Sequence, residues 1–164
     1  MSALRERLIE CLALKDLRRA GWVRAGVPSP ESVAAHSWGV AWLVLVLCPE
    51  ELDRDKALAI AVVHDLAEVR VGDLTPQDAV PDKARLEAEA FAELVQPLPR
   101  AQELTELFEA YGSSPEGRFV KACDKLDMAL QAAAYQDQTG LDLREFVDSA
   151  LAKLEPGPLR ELAG

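Results

Sequence analysis

Ten prolines divide this chain of 164 residues, and where they fall limits what it can fold into. A proline inside a helix removes a backbone donor and clashes with the turn before it, at a cost of roughly 3 kcal/mol. Pro28, Pro30, Pro49, Pro76, Pro81, Pro97, Pro99, Pro115, Pro156 and Pro158 all lie between stretches of helical apolar periodicity or at their first turns. Those stretches are rich in Ala, Leu, Glu and Arg, which favour helices, and none alternates apolar and polar residues between hairpin turns. There is no internal repeat or low-complexity tract. The reading is all-α, one layered bundle in a single domain spanning residues 1–164.

The periodicity predicts a first helix from about Ala3 to Leu17, with Arg18 to Arg24 as a turn. Ser29 can cap a second helix with Pro30 at its first position, running through His36 to about Cys48. Asp53 can cap a third helix through Ala67 that closes near Gly72. A fourth runs from Pro81 and Asp82 to about Gln96, a fifth from Pro99 to about Ala110, and a long one from Glu116 to about Gln138. Asp142 and Glu145 resemble a capping box for a last helix to about Leu154, followed by a short tail.

The formal net charge is −10, so the average field repels nucleic acid and anionic membranes. Any phosphate-bearing ligand needs a local cation. Cys11, Cys48 and Cys123 are odd in number and widely spaced, which fits core thiols of a cytoplasmic protein better than a disulfide framework. Charges interrupt the N-terminal stretch, and no apolar run reaches membrane-spanning length, so neither export nor anchoring is expected.

His36 and His64 are the only histidines. His36 sits early in a segment that becomes strongly apolar from Val40 to Leu47. His64 and Asp65 end the apolar run Ala59 to Val63, where two adjacent polar side chains need partners. On a continuous helix they would point about 100° apart and could share an ion only at the helix edge. A core histidine beside an ion-paired aspartate is the structural alternative. Asp124 has Val120 and Met128 one turn to either side, so its carboxylate lies on or beside a packed face. A divalent cation shared by two imidazoles and two carboxylates would answer the cost of burying them, and this donor set suits Mn²⁺, Co²⁺, Fe²⁺ or Zn²⁺.

The pattern H-x27-HD-x58-D resembles the HD-domain superfamily of metal-dependent phosphohydrolases. Arg19-Ala20-Gly21-Trp22, Glu31-Ser32-Val33-x-x-His36-Ser37, His64-Asp65-x-x-Glu68 and Gly72-Asp73-Leu74 narrow it to the 5′-deoxynucleotidase branch, from roughly Leu14 to Tyr135. The resemblance implies a helical bundle of about six to eight helices, deoxyribonucleoside 5′-monophosphates as the substrate class, and a homodimer. It implies one divalent metal on His36, His64, Asp65 and Asp124, and catalytic roles for Glu68 and Asp73, whose order stays open. Arg19 matches a phosphate contact and Trp22 a sugar-side residue that disfavours a ribose 2′-OH. Singly, Arg19 also reads as a solvated charge, Trp22 as a core anchor and Glu68 as a surface residue. Lys125 and Asp127 read as a solvated face or a local ion pair, and Trp38 and Trp42 as core or dimer contacts. The alternatives are an HD-type hydrolase of nucleoside triphosphates or guanosine alarmones, and a non-catalytic metal-dependent binding module.

Overall fold

The computed structural model describes residues 2–164. Its helices are α1 (Ala3–Leu12), α2 (Ala20–Arg24), α3 (Val33–Leu47), α4 (Arg54–Val63), α5 (Glu68–Val71), α6 (Lys83–Val95), α7 (Ala101–Ser113), α8 (Pro115–Thr139), α9 (Arg144–Lys153) and α10 (Pro158–Ala163). Seven have ten or more residues, as the bundle reading expects; of the three short ones, α2 and α5 lie in connections and α10 ends the chain. There is no strand among the described residues, only an isolated antiparallel bridge between Arg18 and Ser32.

The long helix α8 is the axis. Ser114 caps it by accepting the Gly117 amide, Pro115 occupies the first position, and Gly140 closes it with a left-handed backbone. α3, α4, α7, α9 and α10 all pack on it. Val40, Val44, Ile60, Ala61, Val120 and Cys123 form the core where α3, α4 and α8 meet, and Leu126, Ala129, Ala150 and Leu154 continue it toward α9.

Several boundaries differ from those that the periodicity predicts. The first helix ends at Leu12 and tightens into a 3₁₀ turn, Ala13–Lys15, instead of reaching Leu17. The segment expected to be a turn forms α2. Its entry is clamped by backbone bonds from Arg19 to Glu31 and from Val33 to Leu17. That clamp keeps residues 30–32 extended, so Ser32, not Ser29, caps α3 by accepting the Ala35 amide.

The third helix stops at Val63, and a turn through residues 64–67 separates it from α5, which Gly72 ends at φ 80°. At the far end, Asp142 accepts the Arg144 amide in a local turn and does not form the expected box with Glu145. The tail after Pro156 is helical, as α10.

Candidate active site

Breaking the helix at His64 lets two adjacent side chains turn toward one point. His64 Nδ1 lies 2.7 Å from the Ala61 carbonyl in the last turn of α4. A carbonyl only accepts, so Nδ1 carries a proton, and in the neutral ring it is Nε2 that holds the lone pair. His36, fully buried on α3, places Nδ1 2.7 Å from Asp127 Oδ2 and is oriented in the same sense. The two rings stand 5.7 Å apart at 63°.

Both Nε2 atoms face carboxylate oxygen. His36 Nε2 is 2.9 Å from Asp124 Oδ1 and 3.6 Å from Asp65 Oδ2, and His64 Nε2 is 3.2 Å from Asp65 Oδ2. These approaches are short but misaligned for hydrogen bonds, and both nitrogens are buried without a hydrogen-bond partner. Ligand-capable atoms of His36, His64 and Asp65 fall within 4.8 Å of one another. Lone pairs and anionic oxygens at this range need a cation between them. Two nitrogens and two carboxylates from α3, α8 and the turn after α4 suit a divalent transition metal.

In the metal-free protein, protons take that place. Burial lowers the His36 pKa, but the carboxylates of Asp124 and Asp127 outweigh it and hold it at about 10. His64 is raised by Asp65 against the same burial. Burial would raise Asp65, yet the His64 and His36 imidazoles bring it down to about 2, and Asp124 lies well below the carboxylate range through His36 and Lys125.

Glu68 opens α5 one turn after His64 and is buried, with Oε2 unpartnered. Burial, then the charges of Asp65 and Asp73, push its pKa up to about 9, so it carries a proton at neutral pH. Asp73 follows Gly72. Its Oδ2 accepts the Ala20 amide at 2.8 Å, and its Oδ1 lies 3.6 Å from Arg19 Nη1. Burial disfavours the Arg19 charge, but Asp73, Asp65, Asp124 and Glu68 together keep it firmly cationic.

Trp22 is 2% exposed, donates from Nε1 to Glu31 Oε1 at 3.0 Å, and packs on Phe146 and Tyr135. It also lines the cavity of about 1050 Å³ that Arg19, His64, Asp65, Glu68, Asp73 and Asp124 share. The indole is thus both a core anchor and part of the wall. His36 lies behind this surface.

Three neighbours join the site that the sequence did not assign to it, two of them, Lys125 and Asp127, read there as a solvated face or a local ion pair. Lys125 Nζ is 2.8 Å from Asp124 Oδ2, a local ion pair that sits on the site itself. Asp127, one turn beyond Asp124, meets His36, and the i, i+3 spacing of the two aspartates was the available signal. Tyr111 packs on His64 and points its hydroxyl at Asp124 Oδ2, 3.5 Å away. Its position on α7 carried no motif.

An all-helical domain that brings imidazoles and carboxylates from separate helices close enough to share a cation is a scaffold suited to metal-dependent hydrolysis. More particularly, the chain belongs to the HD domain family, whose model matches residues 11–162. It is 43% identical over 148 residues to 5′-deoxynucleotidase HDDC2 of Bos taurus, covering 85% of this chain and 72% of that protein. It is 38% identical over 139 residues to 5′-deoxynucleotidase hdd1 of Schizosaccharomyces pombe, covering 78% and 70%. A solved structure of a conserved hypothetical protein from Pyrococcus furiosus superposes with a TM-score of 0.80 at 40% identity, over 96% of this chain and 92% of that one.

Proposed function

We propose that this single-domain chain is a 5′-deoxynucleotidase, which hydrolyses deoxyribonucleoside 5′-monophosphates to the deoxynucleoside and inorganic phosphate. The observation that carries the chemistry is the pair of buried, unpartnered Nε2 atoms facing Asp65 and Asp124. The substrate class is supported by the names of relatives from cattle to fission yeast.

His36, His64, Asp65 and Asp124 would hold one Mn²⁺, Co²⁺, Fe²⁺ or Zn²⁺, which when bound supplies a Lewis acid for phosphate oxygen and a lowered pKa for water. Arg19 binds the phosphate and neutralises its developing charge; in a chain of net charge −10 it is a needed local cation. Glu68, protonated, donates to the leaving O5′. Asp73 holds the guanidinium and orients the attacking water. Trp22 forms the wall on the sugar side, where its bulk would oppose a 2′-OH.

A polyphosphate substrate would need more cations. Lys83, Lys121, Lys125 and Lys153 do line the cavity. Two are already engaged, however: Lys125 with Asp124, and Lys83 with the Leu74 carbonyl and Glu87. The monophosphate reading is favoured by the names of the relatives.

No helix among the described residues is long and apolar enough to cross a membrane. The reading of a cytoplasmic enzyme rests on its three separate free thiols. A homodimer is proposed through the outer face of α3, where Trp38 and Trp42 stack in parallel, exposed to solvent.

The test is phosphate release with Mn²⁺ or Co²⁺ from deoxynucleoside and ribonucleoside 5′-monophosphates and from a deoxynucleoside triphosphate, with Asp65→Ala as control. Release from deoxynucleoside monophosphates, lost in the variant, is expected. Release from the triphosphate alone, or equal release by Asp65→Ala, would overturn the assignment.

A further inference from the structure

Gly39 lies one turn beyond His36 on α3, and a methyl group there would meet Asp127 Oδ1 at 2.2 Å. No real contact is that short, so any side chain at 39 would displace the carboxylate. Asp127 therefore reaches across from α8 over a bare stretch of α3 backbone. Its other oxygen, Oδ2, meets His36 Nδ1 at 2.7 Å. Its side chain is 14% exposed and the imidazole is fully buried, so water competes little for the bond.

A ring held at Nδ1 has its tautomer and its rotation fixed together, and the opposite nitrogen is aimed. For His36 that nitrogen is the unpartnered Nε2 facing Asp124 and Asp65. Glu31, His36 and Asp127 also bring ligand-capable atoms within 4.8 Å of one another. They are not a second cation site while Nδ1 donates to Asp127, because one nitrogen cannot both donate and ligate. Glu31 accepts instead from Trp22 Nε1, so the hold on His36 adjoins the cavity wall.

We propose that Asp127 is a positioning residue that aims His36 Nε2 at the cation, and that Gly39 is the position that admits it. The proposal rests on the metal reading above. Neither residue touches the substrate; both act through His36.

Metal-stripped protein titrated with Mn²⁺ tests this, with affinity as the readout and a thermal melt of each metal-free variant as the control for folding. Asp127→Ala should weaken Mn²⁺ binding by about 10- to 100-fold, and Asp127→Asn, which keeps an acceptor for Nδ1–H, should fall between it and wild type. Gly39→Ala should weaken binding in the wild-type background and cost nothing further in Asp127→Ala, where the added methyl has room. If Gly39→Ala does not fold, the ordering of wild type, Asn and Ala at 127 decides alone.

Binding by Asp127→Ala within about twofold of wild type, or an equal cost of Gly39→Ala in both backgrounds, would overturn the proposal. Asp65→Ala separates the two levels. If wild type binds and Asp65→Ala does not, while Asp127→Ala binds normally, only this inference fails. If wild type binds no metal, the metal reading fails and takes the inference with it.

Discussion

Asp73 accepts the backbone amide of Ala20 across 53 residues of sequence, capping the first turn of α2 from outside that helix. Arg19, at the cap position, offers no side-chain bond of its own. The loop after Gly72 is thereby tied to the helix that carries Trp22, and the same carboxylate faces the Arg19 guanidinium. In the proposed reading, phosphate grip and sugar-side wall both depend on this one residue.

Asp73→Asn keeps an acceptor for Ala20 but removes the charge beside Arg19. The Arg19–Asp73 contact at 3.6 Å is an ion pair and not a hydrogen bond, but in the proposed reading Asp73 also orients the attacking water, so kcat/KM should fall by at least about 10²-fold with the melting temperature nearly unchanged. Asp73→Ala should also lose about 1 kcal/mol of stability, because the cap is gone. Steady-state kinetics and thermal melts of the two variants check this. An Asn variant as active as wild type would uncouple Arg19 from Asp73.

Loading the site should release protons. In the metal-free protein His36 stays protonated up to about 10 and His64 is raised as well, yet both must be neutral at Nε2 to ligate. Mn²⁺ affinity should therefore rise as pH rises from 6 to 8, by up to about tenfold per pH unit for each proton released. Calorimetry in buffers of different ionisation enthalpy counts these protons; a count near zero at pH 7 would contradict the geometry. Chelation should abolish phosphate release, and added Mn²⁺ or Co²⁺ should restore it.

Glu68 illustrates a site maintained at the expense of stability. Its pKa is raised from 4.5 in the unfolded chain to about 9 in the folded, metal-free protein. The stability linked to its proton is fully present below about 4.5 and is lost as pH rises through 9. Glu68→Gln has no such loss, so its melting temperature should exceed that of wild type by a margin that grows from pH 5 to 9. The same variant should lose about 10²- to 10⁴-fold in kcat as a general acid is removed. A margin independent of pH would mean that Glu68 ionises normally.

The helices were legible because each is bounded by a local signal that acts alone: Asp53 at α4, Pro115 at α8, Gly72 after α5. At the start of α3, where the expectation failed, a distant partner decided. Ser32 rather than Ser29 caps α3 because Leu17 and Arg19 hold the approach to it in extended pairing. The break at His64 has no proline or glycine to announce it. The four proposed ligands could be named from spacing and resemblance, but Asp127 could not be told from a solvated aspartate. Its role appears only once Gly39 brings α3 against α8.

Trp22 can be tested without emptying the core. Trp22→Phe retains a ring against Phe146 but leaves Glu31 Oε1 without its donor, a loss of about 1–3 kcal/mol. The smaller ring also draws the cavity wall back. Preference for deoxynucleoside over ribonucleoside monophosphates should fall, mainly through faster turnover of the ribonucleotide. Unchanged preference, measured as the ratio of kcat/KM values, would confine Trp22 to the core.

The outer face of α3 argues for a partner of its own kind. Between Val33 and Leu47 the only polar side chains are His36 and Ser37, both buried on the inner face, and an apolar helix face is ordinarily buried too. Yet Trp38 is 69% exposed, Trp42 51%, Val46 57% and Leu45 46%. At 150–250 Å² per aromatic side chain, this stripe is on the order of 400 Å², as large as apolar patches on monomers become. A two-fold axis would set the stripe against itself, so a substituted residue would lie near its own copy. Glutamate at 38 and 42 would then oppose like charge on a protomer already at −10. Trp38→Glu/Trp42→Glu should sediment as a monomer at concentrations where wild type sediments as a dimer, with helical content retained. Each protomer contains the whole site, so the monomer should still bind Mn²⁺ as wild type does. A monomeric wild type, or a double variant that remains dimeric, would assign the stripe another role.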